Sequence, residues 1–195
     1  MTMTTAPTLR PTLRSTHRPT PGQTVGPFFA YGVEYERMNR IVEPYSPGAI
    51  RLSGTVYDGD GAPVPDAFLE IFGADEAGDA PRARGAFRRD EYTFSGFGRA
   101  FTNPEGRYEF VTRDPGAAEG RAPFFAAIVF ARGLPDKLHT RIYLPEHAPA
   151  LEADSLLASL DASERATLIA VRTSEGDLVH DVHLQGEKET VFLVY

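Results

Sequence analysis

The chain has 195 residues, 42% of them hydrophobic and 24% charged, with a net charge of −7 and no cysteine. That length can close one domain around a substantial core, and the missing thiols exclude disulfides, zinc–thiolate and iron–sulfur sites and cysteine nucleophiles. The acidic balance excludes general nucleic-acid binding, which needs a surplus of Lys and Arg, and no apolar run approaches the ~20 residues of a membrane-spanning helix.

Residues 1–20 read as a basic, flexible arm. Pro7-Thr8-Leu9-Arg10 repeats at once as Pro11-Thr12-Leu13-Arg14, with too little apolar bulk to fold alone, and no acidic residue precedes Glu34. The start has no signal-peptide core, and its prolines oppose the amphipathic helix of a transit peptide, so a cytoplasmic location is expected. Residues 21–195 are expected to form a single domain.

From Ile50 to Tyr57 apolar and polar residues alternate with the period of a strand. Asp58-Gly59-Asp60-Gly61 supplies a turn, and Phe68 to Phe72 a second strand. Gly98 to Thr102 and Arg107 to Thr112 read as a hairpin about Asn103-Pro104-Glu105-Gly106, with Pro and Gly at positions a type I turn favours. Pro123 to Ala131 is almost wholly apolar and predicts a strand buried on both faces. His139 to Leu144, Leu178 to Leu184 and Thr190 to Tyr195 complete the strands. Helix is confined to a turn at Ser155 to Leu160 and a segment capped by Asp161 or Ser163 that runs through Ile169. Short strands punctuated by Gly and Pro predict an all-β fold, a sandwich with short helices and long loops.

The familiar catalytic patterns are missing. The five histidines, His17, His139, His147, His180 and His183, include no His-x-His pair and no His-Glu-x-x-His helix, and His180 and His183 point to opposite faces of a strand. Gly54, Gly59, Gly61 and Gly73 lack the strand–loop–helix order of a phosphate cradle. No Gly-x-Ser-x-Gly elbow occurs. Two features carry more. Gln23-Thr24-Val25-Gly26-Pro27-Phe28-Phe29 ends the arm where Gly permits close approach and Pro fixes direction, although a plain turn into the first strand is the alternative. Phe130-Ala131-Arg132-Gly133 ends the most apolar strand on a cation that can hold a carboxylate bidentately or sit in a rim salt bridge.

These stretches, with Gly54 to Gly61, Pro65 to Ile71, Phe97-Gly98-Arg99, Leu138 to Tyr143 and Leu184 to Phe192, stand in order over about residues 20–195. Together they resemble the intradiol ring-cleaving dioxygenases, and within that family the α chains of its two-subunit members. The resemblance implies a β-sandwich. It also implies that catalytic chains hold a non-haem ferric ion with two tyrosines and two histidines, the latter from Arg-Pro-x-His-x-His. The matching stretch is Arg121-Ala122-Pro123-Phe124-Phe125-Ala126, so Phe124 and Ala126 stand where the histidines belong, and neither offers a lone pair. After Pro115-Gly116 no tyrosine follows, and Tyr92 is the one weak relic of the other tyrosine.

By the same resemblance this chain holds no metal and no catalytic residue. Ferric iron is expected on a partner β subunit, with the active site at the interface of αβ units in a hetero-oligomer. Thr24, Gly26, Pro27, Phe28 and Arg132 are the expected substrate-pocket residues, for a dihydroxybenzoate that reacts with O2. The alternatives are an iron-free module that binds an aromatic acid, a purely structural sandwich subunit, and a ring-cleaving enzyme that binds metal differently.

Overall fold

The computed structural model describes residues 21–81, 90, 92–118 and 120–194; the arm over residues 1–20 lies outside the described residues. After a short helix α1 (Phe29–Val33), the chain enters β1 (Ala49–Tyr57). Leu52, Gly54 and Val56 face inward there, as the period-two pattern dictates. The Asp58 turn forms as its residues require. The Asp58 carboxylate accepts from the backbone N–H of Asp60 and Ala62, and Gly61 takes φ +78°.

Strands β2 (Phe68–Gly73), β3 (Phe97–Phe101), β4 (Arg107–Arg113), β5 (Phe124–Phe130) and β6 (Leu138–Tyr143) follow. Helices α2 (Ala148–Ala153), α3 (Ser155–Ala158) and α4 (Ala162–Ala166) then precede three two-residue strands, β7 (Val171–Arg172), β8 (Leu178–Val179) and β9 (Val182–His183). One sheet has the order β4-β1-β8-β7, with β9 also on β1, and the other the order β3-β2-β5-β6. Leu52, Val56, Phe110, Leu178 and Val182 from the first meet Leu69, Ile71, Phe125, Val129 and Ile142 from the second in one apolar core. A second cluster, around Tyr143, Leu151, Leu157 and Leu168, lies under the helices. Among the described residues no helix is long and apolar enough to cross a membrane.

The structure corrects several expectations. The stretch about Asn103–Gly106 is a turn, with Gly106 N–H donating to Asn103 O at 2.8 Å, but its flanking strands do not pair as a hairpin. Thr102 is bonded to Ala67 through both its backbone and its hydroxyl, which keeps β3 on β2, while β4 pairs with β1. The turn therefore carries the chain from one sheet to the other. Strand β5 is not buried on both faces: Phe125, Ala127 and Val129 are buried, while Phe124, Ala126, Ile128 and Phe130 are half-buried on the outer face. The continuous apolar run reflects partial cover over that face.

Leu178 to Leu184 is broken at His180, which leaves two short parallel pairings with β1 in the same register. Thr190 to Val194 makes no strand. Its donors go to three places, Thr190 N–H to His183 O, Val191 N–H to the Thr167 hydroxyl and Leu193 N–H to His139 O, so no ladder can form; Tyr195 lies outside the described residues. The helix capped at Asp161 does form, through a capping box with Glu164, but stops at Ala166.

Candidate functional site

The antiparallel ladder between β2 and β5 pairs Phe68 with Phe130. Extending that register by two residues sets Asp66 opposite Arg132, on the face that carries both rings. The Arg132 Nε–H donates to Asp66 Oδ2. Both side chains are well exposed, 55% for Arg132 and 36% for Asp66, and such a pair contributes ~0–1 kcal/mol to stability. The terminal nitrogens of Arg132 make no hydrogen bond with a described residue. The Nε edge is therefore engaged, and the end-on fork that suits a carboxylate is open.

The turn after Arg132 depends on Gly133, whose φ of +94° is in the region that favours glycine. Its N–H donates to the Thr24 hydroxyl at 2.7 Å, and that hydroxyl lies 3.5 Å from the Ala131 carbonyl. Thr24 thus clips the segment before α1 to the end of β5. Further along, Phe29 N–H donates to Gly26 O at 3.1 Å, which closes the turn over Pro27 and Phe28 into α1. The space beside Gly26 is open, and Phe28 is 78% exposed, with its ring 6.3 Å from that of Tyr31.

Behind the rim lies an aromatic stack. The Phe68 and Phe130 rings are 4.4 Å apart and nearly parallel, and Phe29 stacks on Phe68 at 5.4 Å. A hollow of about 250 Å³ opens between residues 23–29 and the β5–β6 turn, lined in part by Gln23, Val25, Phe29, Phe130, Leu134 and Lys137. The structure therefore brings Thr24 and the Ala131–Gly133 turn together. Gly26, Pro27 and Phe28 continue from the clip to the surface, and none of the five expected pocket residues lines the hollow.

Sequence reasoning missed Asp66 as the partner of Arg132, and the pairing arithmetic of β2 with β5 is the signal that finds it. It also missed a second charged pair on the same sheet face. Arg99 on β3 donates through Nε to Glu70 on β2 at 2.9 Å, and its guanidinium also bonds the Val33 carbonyl at the end of α1. Charges at outward positions of two apolar strands were the available sign.

Intradiol dioxygenases use a non-haem iron, and the residues expected at its ligand positions, Phe124 and Ala126, do not offer a lone pair to one. Phe124 and Ala126 are on the outer face of β5, opposite Tyr143 and Arg141 of β6. The Arg141 guanidinium carbon lies 4.4 Å from the Phe124 ring centre, a cation over a ring face. Arg141 Nη1 donates to the Tyr143 hydroxyl at 2.9 Å, and Tyr143 donates to Asp154 Oδ1 at 3.1 Å. Burial, eased by Arg141, pushes the Tyr143 phenol up to about 12, so it is a neutral donor at ordinary pH. Tyr92 is 93% exposed at the surface. Among the described residues no group of three or more His, Asp or Glu side chains could hold a metal ion.

Comparison with known proteins fits this geometry. A family model described as Dioxygenase matches residues 26–177. The chain is 37% identical over 190 residues to a protocatechuate 3,4-dioxygenase alpha chain from Burkholderia cepacia, covering 89% of this chain and 95% of that one. It is 36% identical over 194 residues to the alpha chain from Pseudomonas putida, covering 89% and 94%. Among solved structures, the dioxygenase domain of a dioxygenase carbohydrate-binding protein fusion from Streptomyces sp. SirexAA-E superposes with a TM-score of 0.60 at 25% identity, covering 87% of this chain and 99% of that domain. Catechol 1,2-dioxygenase from Acinetobacter sp. ADP1 shares the fold, with a TM-score of 0.54 at 20% identity over 80% of this chain and 60% of that one. On the family match over most of its length and on these full-length relatives, the chain belongs to the intradiol ring-cleaving dioxygenases.

Proposed function

We propose that this chain is the alpha subunit of a protocatechuate 3,4-dioxygenase. It pairs with an iron-bearing beta subunit in a cytoplasmic hetero-oligomer. The complex cleaves 3,4-dihydroxybenzoate between its two hydroxylated carbons, and one oxygen atom of O2 goes to each carbon to give 3-carboxy-cis,cis-muconate. The observation that supports the proposal is a dioxygenase fold in which Phe124 and Ala126, the expected ligand positions, lie beside the Arg141 guanidinium and offer no lone pair. A chain built this way needs another chain to hold the iron, and its relatives at 36–37% identity are named alpha chains.

In this reading the chain supplies pocket wall and assembly contacts. Residues 21–195 act as one domain, and the basic arm before them is dispensable for the fold. Arg132 offers its open fork to the ring carboxylate of the substrate. Thr24 fixes the arm against Gly133, and Gly26, Pro27 and Phe28 carry that arm to the partner's side of the pocket. The ion pair of Arg132 with Asp66 favours a second reading, in which Arg132 is only a rim charge on a structural subunit.

Metal analysis separates these readings from an iron-binding enzyme. The isolated chain should carry no stoichiometric iron and no ring-cleaving activity, and co-expression with its partner should give both. Iron with ring cleavage in the isolated chain would overturn the proposal. Within the complex, Arg132→Ala should raise KM for 3,4-dihydroxybenzoate more than for catechol, which lacks the carboxylate. An equal effect on both substrates would leave the structural reading standing.

A further inference from the structure

We infer that Asp66 is a positioning residue for the carboxylate end of the substrate, acting through Arg132. The inference rests on the proposed role of Arg132 in the alpha subunit. Asp66 follows Pro65 in the turn that leads into β2, and the β2–β5 register holds it opposite Arg132. Its Oδ2 accepts the Arg132 Nε–H, so it occupies the side edge of the guanidinium and leaves the end-on fork to a ligand.

An arginine side chain that is 55% exposed samples many rotamers, and a ligand that uses both terminal nitrogens must find them in one plane. Anchoring Nε removes most of that search before the ligand arrives. The pair has little value for the fold, since both groups are exposed. Its value is directional. The Asp66 carboxylate also opposes an incoming anion, so the advantage belongs to its acceptor oxygen and not to its charge.

This separation yields the test. In the assembled complex, Asp66→Ala should raise KM for 3,4-dihydroxybenzoate about three- to tenfold, with kcat and the KM for catechol within about twofold of wild type. Asp66→Asn keeps an acceptor oxygen at the same distance and should restore KM to within about twofold of wild type or below it. Asp66→Ala in an Arg132→Ala background should add nothing, because a residue that acts through another has no effect once the other is gone. The ratio of the two KM values is independent of the fraction of complex that folds. If Arg132→Ala discriminates the substrates and Asp66→Ala leaves the ratio unchanged, the positioning inference falls and the role of Arg132 stands. If Arg132→Ala affects both substrates equally, both fall.

Discussion

The Arg141 guanidinium carbon lies 4.4 Å from the centre of the ring of Phe124, the residue proposed to stand in place of an iron-binding histidine. A cation held there by the Tyr143 hydroxyl opposes a metal ion by charge as well as by bulk. Phe124→His with Ala126→His restores two imidazoles but neither tyrosine, and leaves Arg141 in place. The double variant should therefore contain no more iron than the wild-type chain when purified alone, as measured by elemental analysis. Stoichiometric iron in it would mean that Arg141 does not exclude the metal.

The same cluster holds the helical segment to the sheet. Asp154 is buried, accepts from the Tyr143 hydroxyl, and accepts from the N–H groups of Leu156 and Leu157 at the start of α3. Asp154→Ala removes a cap and leaves a buried phenol without its acceptor, so it should cost about 2–4 kcal/mol. Asp154→Asn keeps the oxygen and should cost clearly less. Denaturant unfolding of the two variants against wild type measures both values, and equal losses would contradict the bonding assigned to Oδ1.

Much of this architecture was legible in the residues, and the failures have physical causes. Alternation along Leu52, Gly54 and Val56 and the turn chemistry of Asp58 depend on local rules, and they hold. The hairpin about Asn103 failed because turn chemistry is local but the choice of partner strand is not: Ala67 claims Thr102 from 35 positions away. The two-faced burial of β5 failed because aromatic residues half-covered by α1 and by neighbouring side chains have the same composition as fully buried ones. At the candidate site, Arg132 was visible as a cation that ends an apolar strand. Asp66 was not, since its relation to Arg132 exists only through the β2–β5 register.

His180 gives the fold a pH dependence. It is buried, its Nε2–H donates to the Thr167 carbonyl at 2.9 Å, and Nδ1 has no hydrogen-bond partner among the described residues. Burial holds its pKa below the ordinary 6.5, against weaker opposite effects of the Thr167 bond and the Asp181 charge, while His183 adds to the lowering. The unfolded chain thus binds a proton at a pH where the folded chain does not. Stability should be full above about pH 6.5 and fall as the pH drops below it. Denaturant midpoints at pH 7.5, 6.5 and 5.5 measure this slope, and His180→Gln should flatten it. A slope unchanged in His180→Gln would assign it to another group.

At Gly54, β1 closely approaches the segment between β8 and β9. A Cβ at this position would lie 1.8 Å from the His180 carbonyl oxygen, which also accepts from the buried Tyr108 hydroxyl. Backbone cannot yield as a flexible side chain can, so Gly54→Ala should destabilise the fold by about 3 kcal/mol or more. It should also loosen the His180 carbonyl, visible as faster amide exchange across β8 and β9. Wild-type stability in this variant would contradict the close approach.

Deletions should separate a dispensable part of the arm from a working part that includes Thr24. Residues 1–20 carry basic charge and little apolar bulk, and their deletion should leave folding and the KM for 3,4-dihydroxybenzoate unchanged in the complex. Deletion through Pro27 removes the Thr24 hydroxyl from Gly133 N–H and frees the turn that presents Arg132. KM should then rise, and with it the loss of discrimination against catechol. Thr24→Val keeps the shape of the side chain and removes only the hydroxyl. It leaves the Gly133 N–H to water, a change of ~1 kcal/mol at an exposed bond, so its effect should fall between those of the two deletions. Because Arg132 immediately precedes Gly133, the Thr24→Val effect should be greater on the carboxylated substrate than on catechol. Equal activity of the two deletion variants would remove Thr24 to Pro27 from the pocket.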